Sequence, residues 1–202
     1  MTPFPQPLRS PAAPLVADNI DTDTIIPSRE MRTTGRRGLA AGLFAPWRYT
    51  DADARVENPE FVLNRPPFRD AAVLLGGANF GCGSSREHAV WALHEWGIRA
   101  VLAESLAPIF AGNCLRNGVL AATLPRPVLE ELAGAEVTID LMAQTVTGNG
   151  AAHAFTIEAE AKEMLLGGLD AIDLTLQQAD AIAAWTARDR KERPWVYLEP
   201  AA

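Results

Sequence analysis

Between Gly76 and His88 the chain reads GGANFGCGSSREH, a glycine-rich turn that lies between two regular patterns. An apolar run of strand length, Ala71 to Leu75, comes before it, and a helical pattern that Gly97 ends comes after it. Further strand and helix candidates alternate along the chain as far as residue 134. This alternation predicts a parallel α/β layer in which the turn joins a strand to a helix.

The region before this layer is less regular. Residues 1–14 contain five prolines and predict an extended tail, so the single domain is expected to span residues 15–202. Residues 28–70 are rich in glycine and proline and show little periodicity. They predict a long, loop-rich segment for substrate recognition, partly disordered in the isolated chain.

The region after the layer alternates between apolar and polar residues. Residues 136–146 and 152–159 predict the two strands of a β-hairpin around a Gly-Asn-Gly turn. Residues 175–202 predict a C-terminal helix and tail, with Thr175 and Gln178 in a capping-box pattern at the start of the helix.

Composition narrows the class of protein. The chain has 202 residues, 48% of them hydrophobic, and a formal net charge of −7, which disfavours a nucleic-acid partner. It contains no run of about 18 apolar residues, so no membrane span is expected. Cys82 and Cys114 are too few for a disulfide framework or for holding an iron–sulfur cluster. We therefore expect a cytoplasmic protein that binds no metal of its own.

The end of the glycine-rich turn has the chemistry of an anion site. Ser84, Ser85 and Arg86 stand where the free N–H groups of a helix begin, and an arginine can bind a carboxylate with two hydrogen bonds. The phosphate-loop and dinucleotide fingerprints are both incomplete here. An alternative stays open, since Ser84 and Glu87 also form a capping-box pattern.

Two further segments carry charge. Asp18–Pro27 holds three aspartates, which suit either a cation or local turns, although it lacks the glycine and the distal glutamate of a calcium loop. Arg29, Arg32, Arg36 and Arg37 cluster at the start of the loop-rich segment. In an acidic chain this cluster indicates either an anionic small ligand or a solvated loop.

Together these segments resemble the small-subunit family of 3-isopropylmalate dehydratase, within the aconitase superfamily. The matching stretches are Asp18–Pro27, Asn79–Ala89, Ile109–Phe110 with Asn113–Gly118, and Gly168–Asp170 with Ile172, in the order of the family. The resemblance implies an α/β fold, the swivelling β/β/α domain of the aconitase C-terminal type. It also implies a long mobile loop and a C-terminal helical extension.

The resemblance further implies an activity. Members of this family take part in leucine biosynthesis, where 2-isopropylmalate is dehydrated and then rehydrated to 3-isopropylmalate. The implied partner is a separate large subunit that carries a [4Fe–4S] cluster, and the implied ligand is a small dicarboxylate. The low cysteine count of this chain agrees with a cluster held by the partner.

Individual roles follow by position in the family motifs. Ser84 falls at the catalytic serine and is the candidate base, and Asp23 matches an active-site aspartate. Arg86 falls at an arginine that binds a substrate carboxylate, and Ser85 is a supporting hydrogen-bond donor.

The loop arginine of the family is placed at Arg36, with Arg32 as the second choice. Nearby, Glu30 and Met31 stand where many relatives place a bulky apolar residue before a leucine. Because of this departure, a second function stays open: the chain would be the small subunit of a paralogous hydro-lyase that acts on citramalate, dimethylmalate or homocitrate. A stand-alone dicarboxylate-binding module is a further alternative, and the acidic charge disfavours an RNA-binding domain.

Overall fold

The computed structural model describes residues 1–31 and 35–197, which form nine strands and eight α-helices. The strands are β1 (Leu8–Leu15), β2 (Tyr49–Asp51), β3 (Val56–Glu57), β4 (Val73–Gly76), β5 (Ala100–Ala103), β6 (Leu120–Thr123), β7 (Glu136–Asp140), β8 (Thr145–Gly148) and β9 (Ala151–Ala154). The helices are α1 (Thr22–Ile25), α2 (Ala45–Arg48), α3 (Glu87–Trp96), α4 (Pro108–Arg116), α5 (Arg126–Leu132), α6 (Ala159–Gly167), α7 (Ala171–Leu176) and α8 (Ala179–Glu192).

Seven of the strands form one mixed sheet in the order β6-β5-β4-β1-β7-β8-β9. β6, β5, β4 and β1 run parallel, with helices in the connections, so the predicted α/β layer is confirmed. β7, β8 and β9 run antiparallel. The parallel part brings the carboxyl ends of its strands to one edge of the sheet, which is where α/β folds usually bind ligands.

The prediction of an N-terminal tail is wrong, because residues 8–15 form β1 near the middle of the sheet. The first half of β1 pairs with β7 and the second half pairs with β4. Leu8 and Ala12 are buried, and the Ser10 hydroxyl accepts a hydrogen bond from the Ala72 N–H at 2.8 Å. The stabilisation from burial and strand pairing thus exceeds the loss of the interstrand hydrogen bonds that the prolines of β1 cannot donate.

The predicted hairpin around the Gly-Asn-Gly turn is confirmed as β8 and β9, but its first predicted strand is divided into β7 and β8, so the region is a three-stranded meander. The chain turns after β7, where the Asp140 carboxylate accepts from the Ala143 N–H at 2.8 Å and Gln144 adopts a positive φ of 55°. An aspartate turn of this kind interrupts a strand without disturbing the alternation of apolar residues. The pattern of residues 136–146 therefore concealed a break between two strands.

The single C-terminal helix is two helices, α7 and α8, and its predicted capping box is misplaced. Asp170 caps α7, and Asp173 completes the box by accepting from the Asp170 N–H. The Thr175 hydroxyl donates to the carbonyl of Ala171 within α7. The helical segment begins earlier because an aspartate in the preceding turn satisfies its first N–H groups.

The core lies on both faces of the parallel strands. In β4, Leu74 packs on one face, while Val73 and Leu75 pack on the other. All three are fully buried, as is usual for a parallel sheet covered on both sides. The glycine-rich turn that follows β4 is therefore attached to a rigid part of the molecule.

The segment 28–70 contains short helical turns, α2 and the small β2–β3 hairpin. Its later part is anchored in the core, where Leu39, Leu43, Phe44 and Leu63 are at most 1% exposed. Mobility of this segment stays a prediction. Burial of these four side chains argues against mobility from Leu39 onward.

Candidate active site

Two segments that are distant in sequence lie side by side at the carboxyl edge of the sheet: residues 18–27 and the glycine-rich turn 76–84. The Thr22 N–H donates to the Cys82 carbonyl at 2.9 Å. The Thr22 hydroxyl donates to the Ser84 carbonyl at 3.0 Å. The acidic segment therefore holds the backbone of the turn that carries the predicted catalytic serine.

Glycine is required at two positions of this turn. A Cβ atom at Gly77 would collide with the backbone of Ala17 and the carboxylate of Asp18. Gly81 has a φ of +76°, and a Cβ atom there would collide with the ring of Phe110. Because they have no Cβ atom, these glycines allow the backbone of the turn to lie directly against residues 17–18 and the ring of Phe110.

Asp23 and Arg86, both predicted as site residues, form an ion pair. Their side chains are 53% and 26% exposed, respectively, so the pair is open to solvent on one side. Asp23 lies in α1, and Arg86 is the residue immediately before α3. The pair thus orients the guanidinium at the start of a helix while leaving part of it free for an anion.

Ser84 and Ser85 lie beside this pair and are exposed. Neither hydroxyl makes a hydrogen bond to any residue that the structure describes. The capping alternative for Ser84 is wrong, because Arg86 occupies the N-cap position and no side chain caps α3. Glu87 instead accepts from the side-chain amide of Asn117 at 2.8 Å.

This arrangement can stabilise negative charge. The N-terminus of α3 offers N–H groups without a side-chain cap and the positive end of the helix dipole. Arg86 adds a full positive charge at the same place. Such a setting favours a bound carboxylate and also favours partial alkoxide character on a neighbouring serine oxygen.

The predicted loop arginine is not part of this cluster. The guanidinium of Arg36 lies over the ring of Trp91, 4.9 Å from its centroid, and borders a cavity of about 440 Å³. Among the described residues, Arg36 forms no hydrogen bond or ion pair with Asp23 or Ser84. Arg32, the second choice, lies outside the described residues.

Glu30, the residue that departs from the family pattern, is paired inside the chain. Its side chain is 6% exposed, and its carboxylate accepts from Arg55 at 2.6 Å. The hydrogen bond that Arg55 donates to Glu30 raises the pKa of Arg55 above its ordinary value. The carbon atoms of Glu30 pack against Gly42, where a Cβ atom would collide with them. The neighbouring Met31 packs partly buried against the core.

The sequence reasoning missed a charged cluster at the same edge of the sheet. The Asp18 carboxylate accepts from the Ala78 N–H at 2.8 Å and pairs with Arg126, which also donates to Glu104 at 2.6 Å. The Ala78 hydrogen bond and then the Arg126 side chain lower the pKa of Asp18. The signal was available, since Asp18 follows β1 and Glu104 follows β5, and parallel strands end at one edge.

The residues that could hold a metal ion are few. In the described ranges 1–31 and 35–197, no group of three or more His, Cys, Asp or Glu side chains is arranged to hold one. Cys82 and Cys114 are free thiols, and complete burial raises the pKa of Cys114. These donors do not fit a [4Fe–4S] cluster, which needs three or four accessible thiolates. Across the described part of the chain, no helix is both long and apolar enough to cross a membrane.

Two family models match the chain. The model of the aconitase C-terminal domain matches residues 7–127, which include the parallel strands and the candidate site. The model of the C-terminal domain of the 3-isopropylmalate dehydratase small subunit matches residues 172–197, which include α8.

Individual relatives agree with these models. The chain is 50% identical over 200 residues to the 3-isopropylmalate dehydratase small subunit of Cupriavidus necator, a match that covers 95% of this chain and 96% of that protein. It is 50% identical over 192 residues to the small subunit of Rhodospirillum centenum, covering 91% and 94% of the two chains. The crystal structure of 3-isopropylmalate dehydratase from Methanocaldococcus jannaschii superimposes with a TM-score of 0.68 at 27% identity, covering 89% of this chain and 99% of that one.

Proposed function

The chain belongs to the family of 3-isopropylmalate dehydratase small subunits, and on that premise we propose that it works as one half of a two-subunit hydro-lyase. The reaction is the dehydration of 2-isopropylmalate and its rehydration to 3-isopropylmalate, in leucine biosynthesis. Relatives of this name match nearly the whole chain at about half identity. Neither these matches nor the family models favour the other alkyl-malates or a stand-alone binding module.

The observation that carries the proposal is the Asp23–Arg86 ion pair beside the exposed Ser84. This cluster supplies an anion site and a hydroxyl, but one side of it is open to solvent. Closure of an active site excludes bulk water and strengthens the electrostatic interactions inside it. A second protein surface over the cluster would provide that closure, and the large subunit implied by the name of the small-subunit family is the expected partner.

In the proposed mechanism Arg86 binds one carboxylate of the substrate with its two terminal N–H groups. Asp23 holds the guanidinium in place and leaves part of it free. The Ser84 oxygen removes the proton from the carbon next to the one that carries the hydroxyl group, and it later delivers a proton to the carbon that the hydroxyl group left. The α3 N-terminus and Arg86 stabilise the negative charge on that oxygen before it takes up the proton. Ser85 donates a further hydrogen bond to the substrate.

A [4Fe–4S] cluster on the large subunit would supply a Lewis acid for the departing hydroxyl group. None of the described residues of this chain is arranged to hold such a cluster. Arg36 exchanges its contact with Trp91 for the second carboxylate of the substrate when the subunits close. Two free cysteines support a reducing, cytoplasmic setting for the complex.

Glu30 is compatible with an isopropyl substrate. Its carboxylate is held by Arg55 and is nearly inaccessible, so it presents no charge to an apolar group. Met31, the next residue, offers an apolar side chain in the same segment.

The test is reconstitution. The chain is mixed anaerobically with the large subunit from the same source, and formation of isopropylmaleate from 2-isopropylmalate is followed by absorbance. Activity of the mixture, with none from either subunit alone, supports the proposal. If citramalate or homocitrate were turned over faster than 2-isopropylmalate, that compound would be the substrate. If the mixture were inactive while the chain alone bound a dicarboxylate tightly, the chain would be a binding module.

A further inference from the structure

The carboxylate of Glu95, near the end of α3, accepts three backbone hydrogen bonds from the segment 38–40. The Gly38 N–H donates to Oε1 at 2.7 Å. The N–H groups of Leu39 and Ala40 donate to Oε2 at 2.6 and 2.8 Å. One side chain thus satisfies three consecutive backbone donors that belong to no strand or α-helix, an arrangement with strong, charge-assisted bonds.

Arg48 holds the residues that follow, and the two sets of contacts overlap at Ala40. Its guanidinium donates to the carbonyl oxygens of Ala40 at 2.7 Å, Ala41 at 3.1 Å and Leu43 at 3.2 Å. Arg48 itself is 4% exposed. The backbone is therefore fixed by an acceptor at residues 38–40 and by a donor at residues 40–43.

Glu95 is ionised over the physiological pH range. Burial opposes its ionisation, but the N–H donors of Gly38, Ala40 and Leu39 and the nearby Arg37 outweigh that effect and lower its pKa. A carboxylate that stays charged can serve all three donors at once.

The segment that Glu95 holds follows directly after Arg36 and Arg37. The helix that carries Glu95 also carries Trp91, on which Arg36 lies, and begins directly after Arg86. A rigid helix therefore links the anion site at its first residue to the arginine-bearing segment near its last turn.

We propose that Glu95 is a positioning residue that sets the distance between the loop arginines and the Ser84–Arg86 site. The proposal rests on the proposed function in one respect, namely that Arg36 binds a carboxylate of the substrate. Glu95 touches no substrate and acts through the backbone of residues 38–40. Its loss releases the arginines, so that they bind the substrate only after an ordering step.

The variant Glu95→Gln keeps the size of the side chain but puts an NH₂ group against at least one of the three N–H donors. In the reconstituted complex we expect KM for 2-isopropylmalate to rise about tenfold, with kcat within about twofold, because substrate binding loses its ordered arginine. Glu95→Asp, one methylene shorter, should give a smaller rise. The exposed Glu130 on α5, changed to Gln, is the matched control and should leave both constants unchanged.

Combination with Arg36→Ala separates positioning from a general structural role. If Glu95 acts through Arg36, Glu95→Gln should raise KM much less in the Arg36→Ala background than in the wild type. If Glu95→Gln raised KM by the same factor in the Arg36→Ala background as in the wild type, the proposal would be overturned.

Hydrogen exchange of the chain without its partner tests the physical link alone. In Glu95→Gln the amides of residues 38–40 should exchange at least about tenfold faster, while the amides of β4 and β5 keep their protection. If the amides of residues 38–40 keep their protection in Glu95→Gln, the proposal is overturned. It is also overturned if these amides lose protection while the KM of the Glu95→Gln complex stays unchanged. An inactive wild-type complex would refute the proposed function, and the exchange result would then still decide whether Glu95 fixes the segment.

Discussion

The hydroxyl of Thr22 donates a hydrogen bond to the carbonyl oxygen of Ser84 at 3.0 Å, across 62 positions of sequence. Thr22 is 2% exposed, so the donor end of this bond is shielded from water, whereas Ser84 at the other end is exposed. It joins the acidic segment to the glycine-rich turn at the residue whose side chain carries the proposed chemistry. The orientation of Ser84 therefore depends on a residue that makes no chemical contribution of its own.

Replacement of Thr22 by Val should lower the free energy of unfolding by about 1 kcal/mol, because the Ser84 carbonyl loses one of its two donors and keeps only the Arg86 N–H, while the shape of the side chain at residue 22 is kept. Activity of the reconstituted complex should fall further than this loss of stability explains, since Ser84 is then less well oriented. Urea unfolding and turnover measure the two effects. Thr186→Val removes a similar hydroxyl-to-carbonyl bond in α8 and should leave turnover unchanged. Equal turnover in the two variants would contradict the role of Thr22.

Arg86→Lys keeps the positive charge but removes the planar pair of N–H donors. We expect KM for the dicarboxylate to rise about tenfold or more, because one good bidentate contact becomes a single one. Steady-state kinetics of the complex checks this. Arg69→Lys, which alters an exposed pair with Glu57, is the control and should leave KM as it is. A lysine variant with wild-type KM would remove Arg86 from substrate binding.

The carboxylate of Glu30, which is nearly inaccessible, forms a short ion pair with Arg55 at 2.6 Å and a longer one with Arg29 at 3.7 Å. Arg55→Met should lower the free energy of unfolding by about 1–3 kcal/mol, since a nearly inaccessible charge loses its strongest hydrogen bond. The double variant with Glu30→Leu removes both charges and should recover most of that loss. Thermal unfolding of the three proteins gives the comparison. A double variant as unstable as Arg55→Met would show that the pair contributes little.

Asp18 gives the fold a pH dependence. Its pKa lies below the ordinary value, because of the Ala78 N–H and Arg126, so ionised Asp18 stabilises the folded chain above that ordinary value. The contribution is lost as the pH falls through the lowered pKa. The free energy of unfolding of Asp18→Asn should therefore be lower than that of the wild type at pH 7, and the two values should converge in acid. Asp53→Asn, in an exposed turn, is the control, and a difference that does not depend on pH would contradict the assignment.

Much of the fold was accessible from local patterns. The run Ala71–Leu75, the turn after it and the helix that Gly97 ends were all predicted with small errors at the boundaries. The patterns worked because each of these elements is buried on a periodic face or marked by glycine. β1 was missed because its prolines resemble a tail, whereas its place in the sheet depends on strands more than fifty residues away.

The candidate site was accessible only in part. Asp23 and Arg86 were each assigned to the site by the family resemblance, but their ion pair across 63 positions was not predicted, since no local pattern connects the two segments. Glu95 was not suggested at all. A glutamate in the last turn of a helix is ordinary, and its role depends on where residues 38–40 lie in space.

The most direct test of the account is the turnover of the complex reconstituted with Ser84→Ala. The hydroxyl is exposed and makes no hydrogen bond within the described part of the chain, so stability and binding of the large subunit should be unchanged. The account predicts a loss of kcat of about a hundredfold or more, with a smaller loss for Ser85→Ala. Near-normal turnover of a fully assembled Ser84→Ala complex would contradict it.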